Sequence, residues 1–268
     1  MTNERDTREP RARGDVPLIE LVGVTKGFGG RPVLHGLDLA VGRGEIFTLL
    51  GGSGSGKSVL LKHMVGLLRP DAGRIAIDGR DSAQFRERDW VAVRRRIAYV
   101  FQGAALFDSL SVKENIAYGL REHLALDEAG IDRRVAECLE AVGLAGIEAR
   151  MPAELSGGMR KRVAVARAIA LAPEVILYDE PTTGLDPANA RRIGQLIVSL
   201  RRELDGTAVI VTHDLDLAFA ISDRVGMLAR GRLIAVGTCD EIRASRVPEV
   251  QEFLAGELEA PAARTGGA

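Results

Sequence analysis

The sequence predicts an α/β fold organised around a parallel β-sheet. Three mainly apolar runs, Ile46–Leu50, Val175–Asp179 and Ala208–Thr212, have the length and composition of strands that are buried on both faces. A helical pattern follows each run, as crossover connections between parallel strands require. The chain has 268 residues, of which 46% are apolar, so it is long enough for one large domain or for one domain with a subdomain.

The segments that flank these runs predict further elements. Residues 1–16 are charged and offer little to bury, so we expect a disordered tail there. Leu18–Val24 alternates apolar and polar side chains and is predicted to be a strand, and Arg74–Arg80 is predicted to be a short strand that ends in a turn. We place the main domain at residues 17–245 and a short C-terminal helix with a tail at residues 246–268.

The middle of the chain has a different character. From about residue 82 to residue 172 helical patterns dominate, and the exception is the predicted strand Ile97–Phe101. Ser111 and Glu114 have the spacing of a capping box before an apolar helix. This region is therefore predicted to be a helical subdomain inserted into the α/β core.

A glycine-rich loop with the sequence GGSGSGKS follows the first buried run and precedes a helical pattern. This strand–loop–helix context is the one that the phosphate-loop pattern G-x-x-x-x-G-K-[ST] requires. Glycines let successive backbone N–H groups point at phosphate oxygens, the Lys57 ammonium reaches the β- and γ-phosphates, and the Ser58 hydroxyl is placed to bind Mg²⁺. The predicted nucleotide-binding residues of this segment are Gly51, Gly52, Ser53, Gly54, Ser55, Gly56, Lys57, Ser58 and Val59.

Polar side chains after three predicted strands complete a candidate catalytic site. The second buried run ends in two carboxylates, of which Asp179 suits Mg²⁺ and Glu180 could polarise an attacking water. His213 follows the third run, where it is placed to meet a γ-phosphate. Gln102 follows the strand of the helical region, and its amide oxygen is a candidate for the Mg²⁺ shell or for holding the water. A salt-bridging pair is the alternative for the two carboxylates, and the phosphate loop argues against it.

A second helix start suited to an anion lies about a hundred residues after the phosphate loop. Ser156, Gly157 and Gly158 precede a helical pattern in the stretch LSGGMRKRVAVARAIA. They offer free backbone N–H groups and a hydroxyl at the positive end of a helix. The residues alone leave open why one domain should have two such sites.

Bulk properties restrict the classes of function. The 36 Lys and Arg residues balance 37 Asp and Glu residues, so the net charge of -1 gives no global electrostatic case for a nucleic-acid partner. Cys138 and Cys239 have no partner at metal-site spacing and are interpreted as reduced thiols of a cytosolic protein. No apolar run approaches the roughly twenty residues that span a bilayer, and the N-terminus has no signal-peptide pattern. For work at a membrane, we expect another chain to hold this one there.

The order of the motifs resembles that in the nucleotide-binding subunits of ABC transporters. The motifs are the phosphate loop, the Gln after a strand, LSGG, LYDEP, GLDP and TH. The resemblance extends from about Leu18 to Arg243. It implies a P-loop NTPase core of ABC type with an inserted helical subdomain and an antiparallel β subdomain, ATP and Mg²⁺ as ligands, and ATP hydrolysis as the activity. Two positions depart from the family pattern: Met159 replaces the common Gln, and Gly52 stands where many relatives have Pro.

The resemblance also implies an answer to the question of the two anion sites. In this family two copies pair head to tail, and ATP on the phosphate loop of one copy is closed off by Ser156, Gly157 and Gly158 of the other. Asp186 resembles the family's cross-dimer contact, and Phe28 resembles the aromatic residue that stacks on adenine. The other implied partners are integral-membrane permease subunits, so we expect a peripheral location on the cytoplasmic face of the inner (cell) membrane.

A narrower resemblance rests on LSGGMRKRVAVARAIA, FQGAALFDSLSVKENIAYGLREH and VQEFLAG, which are similar to segments of the ATPases of bacterial MCE-linked (Mla-type) lipid-trafficking systems. It implies a phospholipid or a related hydrophobic substrate and an MCE-domain lipid-binding subunit as a further partner. In this context Phe107 and Leu110 are candidates for contact with the permease.

Three other functions are alternatives to this hypothesis. An importer ATPase for a polar solute such as an amino acid often has a C-terminal regulatory domain, for which too little chain follows residue 245. A soluble ABC-type protein that acts on ribosomes or DNA usually needs tandem nucleotide domains, coiled-coil insertions or basic arms, and this sequence shows none of these features. A non-catalytic nucleotide sensor is disfavoured because Lys57, Asp179, Glu180 and His213 are all present.

Overall fold

The computed structural model describes residues 16–256, and it confirms the predicted α/β class. In this range the strands are β1 (Ile19–Phe28), β2 (Arg31–Val41), β3 (Ile46–Leu50), β4 (Ala72–Ile77), β5 (Arg80–Asp81), β6 (Ile97–Val100), β7 (Val175–Asp179), β8 (Thr207–Thr212), β9 (Arg224–Ala229) and β10 (Arg232–Gly237). The α-helices are α1 (Lys57–Met64), α2 (Glu87–Arg96), α3 (Val112–His123), α4 (Glu128–Ala141), α5 (Gly157–Ile169), α6 (Pro187–Glu203), α7 (Leu215–Ile221), α8 (Cys239–Arg243) and α9 (Pro248–Leu254).

The larger sheet has the strand order β10-β9-β3-β8-β7-β6. Strands β9, β3, β8, β7 and β6 are parallel, and β10 adds an antiparallel edge. The carboxyl ends of parallel strands meet at one edge of a sheet, which is where open α/β folds bind ligands. The phosphate loop after β3, the carboxylates at the end of β7 and His213 after β8 are therefore brought to the same edge.

The three buried runs match the observed strands closely, but other parts of the sheets have no matching prediction. β3 and β7 have the predicted bounds, and β8 begins one residue earlier than predicted, at Thr207. β6 ends at Val100, because a turn follows in which the N–H of Ala104 donates to the carbonyl of Phe101. β1 continues to Phe28 because it pairs with β2, and both belong to a four-stranded antiparallel sheet with the order β2-β1-β4-β5.

Side chains alternate between the two faces of the larger sheet and so pack in two different hydrophobic cores. In β7, Ile176 and Tyr178 pack in the core that α3, α4, α5 and α6 cover. Val175 and Leu177 pack in the opposite core, which contains the antiparallel sheet, α1 and α2. Trp90 of α2 belongs to this second core. The helical region predicted at residues 82–172 thus supplies helices to both faces, and the domain boundaries stay a prediction.

The C-terminal helices α8 and α9 pack in a smaller third core, through Ile242 and Val250 against Met227. The predicted N-terminal tail at residues 1–16 lies outside the described range except for Val16, and so do residues 257–268 of the predicted C-terminal tail. Within residues 16–256, none of the helices combines the length and the hydropathy that crossing a membrane requires.

Candidate functional site

The phosphate loop connects β3 to α1, and its glycines are required by geometry. A Cβ atom on Gly51 would lie 2.4 Å from the carbonyl oxygen of Leu228, which is closer than real Cβ atoms come. Gly54 and Gly56 have φ angles of 74° and 105°, which residues with a side chain rarely adopt. The Ser55 hydroxyl is buried in the loop and has no hydrogen-bond partner within the described residues. The loop therefore contains one buried polar group that no described residue satisfies, which is consistent with a site that a ligand completes.

Lys57, the first residue of α1, is buried beneath the loop. Its ammonium donates to the carbonyl oxygens of Gly51 at 2.7 Å and Gly52 at 3.0 Å. It also lies 3.3 Å from Oε1 of Glu180. Two hydrogen bonds and one ion pair thus stabilise the buried cation, and phosphate oxygens could replace the two carbonyl acceptors.

Asp179 ends β7 and is nearly fully buried beside the phosphate loop. Its Oδ1 accepts a 2.7 Å hydrogen bond from the hydroxyl of Ser58, and its Oδ2 accepts a 2.8 Å hydrogen bond from the hydroxyl of Tyr99. Residues 16–256 contain no group of three or more His, Cys, Asp and Glu side chains that could hold a metal ion. One carboxylate and one hydroxyl nevertheless suit Mg²⁺, which usually takes few protein ligands together with waters and substrate phosphates.

Glu180 has an unusual backbone conformation, with φ at 49°. Its N–H donates to the carbonyl of Val211, and its own carbonyl accepts a 3.0 Å hydrogen bond from the ammonium of Lys161 in α5. Non-glycine residues rarely adopt this φ, and such backbone strain persists only where surrounding contacts stabilise the conformation. Contacts from β8 and α5 hold it here.

The carboxylate of Glu180 is surrounded by donors. Oε2 lies 2.9 Å from Nδ1 of His213 and accepts hydrogen bonds from Thr183 at 3.1 Å and Thr212 at 3.3 Å. Oε1 faces Lys57. The His213 side chain is 58% exposed, so its ring joins the buried carboxylate to the open edge of the sheet. A carboxylate fixed in this way is a suitable proton acceptor at a phosphate site.

The structure does not connect every predicted site residue to this network. Gln102 lies in an exposed turn two residues after β6, and within residues 16–256 no hydrogen bond ties it to Asp179. Phe28, at the end of β1, is 46% exposed, and the ammonium of Lys26 lies 5.5 Å from its ring centroid. An exposed aromatic face of this kind is free to stack on a ligand.

The second anion-ready helix start is the N-terminus of α5. The Ser156 hydroxyl caps this helix by accepting from the N–H of Met159 at 3.2 Å, and Gly157 is exposed. Gly158 lies against Asn189, near the start of α6. Within residues 16–256, no hydrogen bond joins this segment to the phosphate loop of the same chain.

Asp186 caps the neighbouring helix α6. Its Oδ1 accepts from the N–H groups of Asn189 at 2.9 Å and Ala188 at 3.0 Å, and its Oδ2 accepts from the side-chain amide of Asn189. The hydrogen bonds from Asn189, first from its backbone N–H, lower the pKa of the Asp186 carboxyl below its usual value. The carboxylate is therefore charged and exposed beside the start of α5.

Sequence reasoning missed several groups of this site. Tyr99 contacts Asp179, Lys161 contacts the backbone of Glu180, and Thr212 contacts the carboxylate of Glu180. Tyr99 and Thr212 have a signal in the sequence, because each lies at or near the end of a predicted strand. Lys161 has none, since the contact depends on how α5 packs beside β7.

Comparison with known proteins gives a consistent result. Residues 34–183 match the family model described as ABC transporter. A relative named "Intermembrane phospholipid transport system ATP-binding protein MlaF" from Haemophilus influenzae is 42% identical over 91% of this chain and 92% of its own length. The protein of the same name from Escherichia coli K12 is 38% identical over 91% of each chain. "Probable ribonucleotide transport ATP-binding protein mkl" from Mycobacterium leprae is 42% identical over 92% of this chain and 72% of its own length.

Solved structures also resemble the fold. The structure of cbiO1 from Clostridium perfringens, described as part of the ABC transporter complex cbiONQ, has a TM-score of 0.78 and 31% identity over 89% of this chain and 99% of its own. The dimeric post-hydrolysis structure of the ATP-binding cassette MJ0796 with ADP and Pi has a TM-score of 0.77 and 32% identity, and covers 82% of this chain and 98% of its own.

Proposed function

The chain belongs to the ABC transporter family of ATP-binding proteins, and we propose that it drives the movement of phospholipid, or a related hydrophobic molecule, through a separate membrane permease. As a member of this family it binds ATP and is an ATPase of a transport system. The observation that supports the phospholipid substrate is the match to both MlaF relatives over at least 91% of each chain.

The site geometry supports specific roles for the residues of this chain in hydrolysis. Lys57 and the loop N–H groups bind the phosphates, and Lys57 exchanges its two carbonyl partners for phosphate oxygens. Glu180 orients the attacking water and accepts its proton, and His213 holds the carboxylate on the side that faces the open edge. Phe28 stacks on the adenine.

The residues at the end of β7 fit a magnesium ion. Ser58 and Asp179 offer hard oxygen ligands in hydrogen-bond contact with each other, and Gln102, in the turn after β6, would be a further ligand. Bound there, Mg²⁺ would neutralise charge on the β- and γ-phosphates. Asp179 and Ser58 would hold the ion next to the phosphate loop.

The two anion-ready helix starts belong to one composite site in a head-to-tail dimer. Ser156, Gly157, Gly158 and the charged Asp186 of one copy close over the ATP held by Lys57 of the other. This model is supported by the exposed start of α5 and by the absence, within residues 16–256, of a hydrogen bond from it to the loop of its own chain. ATP would then bind only the closed pair tightly, so it stabilises the dimer and hydrolysis releases it.

Heterodimers test the composite site. With Lys57→Ala on one copy and Ser156→Arg on the other, both lesions fall in one site and the second site stays intact, so about half of the activity per dimer should remain if the sites act independently. With both substitutions on one copy, each site carries one lesion, and activity should be lost. Equal activity of the two arrangements would contradict the model.

A ribonucleotide is the second candidate substrate, because relatives that match at 42% identity are named for ribonucleotide transport. Those relatives are covered only over 72% and 68% of their own length, which favours the phospholipid assignment. The remaining proposed partners are the permease and an MCE-domain lipid-binding subunit, at the cytoplasmic face of the inner membrane.

Cells that carry Glu180→Gln distinguish the two substrates. We expect an altered distribution of labelled phospholipid between membranes and normal uptake of labelled ribonucleosides. Normal lipid distribution with loss of ribonucleotide or ribonucleoside uptake would reverse the assignment. The control is Glu203→Gln, an exposed glutamate at the end of α6.

A further inference from the structure

Tyr99 contacts the site but has no part in the roles described above. It lies in β6, and its hydroxyl donates a 2.8 Å hydrogen bond to Oδ2 of Asp179. The other oxygen of the same carboxylate, Oδ1, accepts from Ser58 at 2.7 Å. One oxygen of Asp179 therefore faces the phosphate loop, and the other is bound to the neighbouring strand.

The tyrosine hydroxyl is a well-defined donor. A phenol keeps its proton at neutral pH, so the Tyr99 hydroxyl donates and Oδ2 of Asp179 accepts. Its ring stacks against that of Phe101, with the centroids 4.3 Å apart. The donor is thus both protonated and fixed in position.

The two hydrogen bonds restrict the orientation of the Asp179 carboxylate. The terminal torsion of an aspartate is broad, so a carboxylate held through a single oxygen turns easily. Contacts to both oxygens prevent this rotation, and the commitment of Oδ2 to Tyr99 keeps Oδ1 directed at Ser58. The side chain is 6% exposed, so little water is available to replace the tyrosine.

We propose that Tyr99 is a positioning residue of the magnesium site. It holds Oδ1 of Asp179 toward the ion, and it ties β6 to β7 shortly before the turn that contains Gln102. The inference rests on the proposed function of Asp179 as a magnesium ligand. The register of β6 against β7 supports this inference, because Tyr99 pairs with Leu177 and Val100 pairs with Tyr178. The tyrosine therefore sits on the neighbouring strand within reach of Asp179, which ends β7.

The test separates the contribution of magnesium from nucleotide binding itself. Isothermal titration calorimetry would measure the affinity of the full chain for adenylyl imidodiphosphate, once with excess Mg²⁺ and once with EDTA. The ratio of the two affinities is the magnesium contribution. The variants are Tyr99→Phe, which removes only the hydroxyl, Asp179→Asn as the reference for a lost ligand, and Tyr118→Phe as a matched control on an exposed tyrosine.

We expect Tyr99→Phe to lower the magnesium contribution by about tenfold, the scale of one hydrogen bond to a charged group, and to leave the affinity in EDTA unchanged. Tyr118→Phe should match the unmodified chain in both conditions. An unaltered magnesium contribution in Tyr99→Phe, or an equal loss in EDTA, would overturn the inference even where Asp179→Asn lowers the ratio. A ratio that Asp179→Asn does not change would instead refute the proposed role of Asp179, and the inference with it.

Discussion

Glu180→Gln tests the centre of the proposed mechanism with a change of a single functional group. Glutamine keeps the size and shape of the side chain, but it removes the negative charge that faces Lys57 at 3.3 Å and His213 at 2.9 Å. It also removes the proton acceptor. One substitution therefore has two consequences that can be measured separately, one for catalysis and one for the stability of the chain without nucleotide.

The expected magnitudes follow from the contacts. Loss of a positioned general base costs about 10²- to 10⁴-fold in turnover. Removal of one partner from a buried ion pair costs about 3–5 kcal/mol, but Lys57 keeps two carbonyl acceptors, so we expect about 2 kcal/mol. For a domain of this size that loss lowers the melting temperature by roughly 5 °C. ATP supplies a new counter-charge for the ammonium, so ATP should raise the melting temperature of the variant more than that of the unmodified chain.

Two assays measure these effects: phosphate release by the assembled transporter, and thermal unfolding of the purified chain with and without MgATP. Glu203→Gln, which alters an exposed glutamate, should change neither. Turnover near that of the unmodified protein would refute the role of Glu180 in hydrolysis. An unchanged melting temperature without nucleotide would refute the energetic importance of the ion pair with Lys57.

Further predictions concern the loop, the backbone of the catalytic residue and the surface of the helical layer. Gly51→Ala places a Cβ atom 2.4 Å from a backbone carbonyl oxygen and should abolish ATP binding in calorimetry, whereas Gly52→Ala, with no atom within 4 Å of the new Cβ, should bind normally; equal affinities would refute this account of the loop. Lys161→Met removes the donor to the carbonyl of Glu180 and should lower kcat about tenfold with KM for ATP unchanged, while Lys161→Arg should retain most activity; a raised KM instead would contradict a positioning role. Phe107, 46% exposed, is expected to contact the permease, so Phe107→Ala should weaken co-purification of the permease and leave ATP binding intact; unaltered co-purification would exclude this contact.

Local patterns in the sequence were sufficient to predict the elements that form the nucleotide site. Ile46–Leu50 and Val175–Asp179 are buried on both faces, so their composition alone identifies them as central strands. The phosphate loop is equally local, because its glycines, Lys57 and Ser58 are neighbours along the chain. The α/β class and the ATP-binding activity follow from these segments together with the motifs that resemble the ABC family.

Other elements could not be predicted because their stability comes from partners distant in sequence. β2 contains polar side chains and glycine and becomes a strand by pairing with β1, which in turn extends β1 to Phe28. β9 and β10 likewise form through their neighbours in the larger sheet. Strand formation depends on packing and pairing more than on intrinsic preference, so such segments have weak local signals.

The sequence by itself determined which chemical groups the site contains: the loop glycines, one lysine, two adjacent carboxylates and a histidine after a buried strand. Only the tertiary structure decided how those groups are held. The left-handed backbone of Glu180, the ammonium of Lys161 on its carbonyl and the hydroxyl of Tyr99 on Asp179 arise where β6, β7, β8 and α5 meet. Contacts between elements far apart in the chain depend on the packing of the whole domain, and a motif therefore specifies the reacting groups without specifying the residues that orient them.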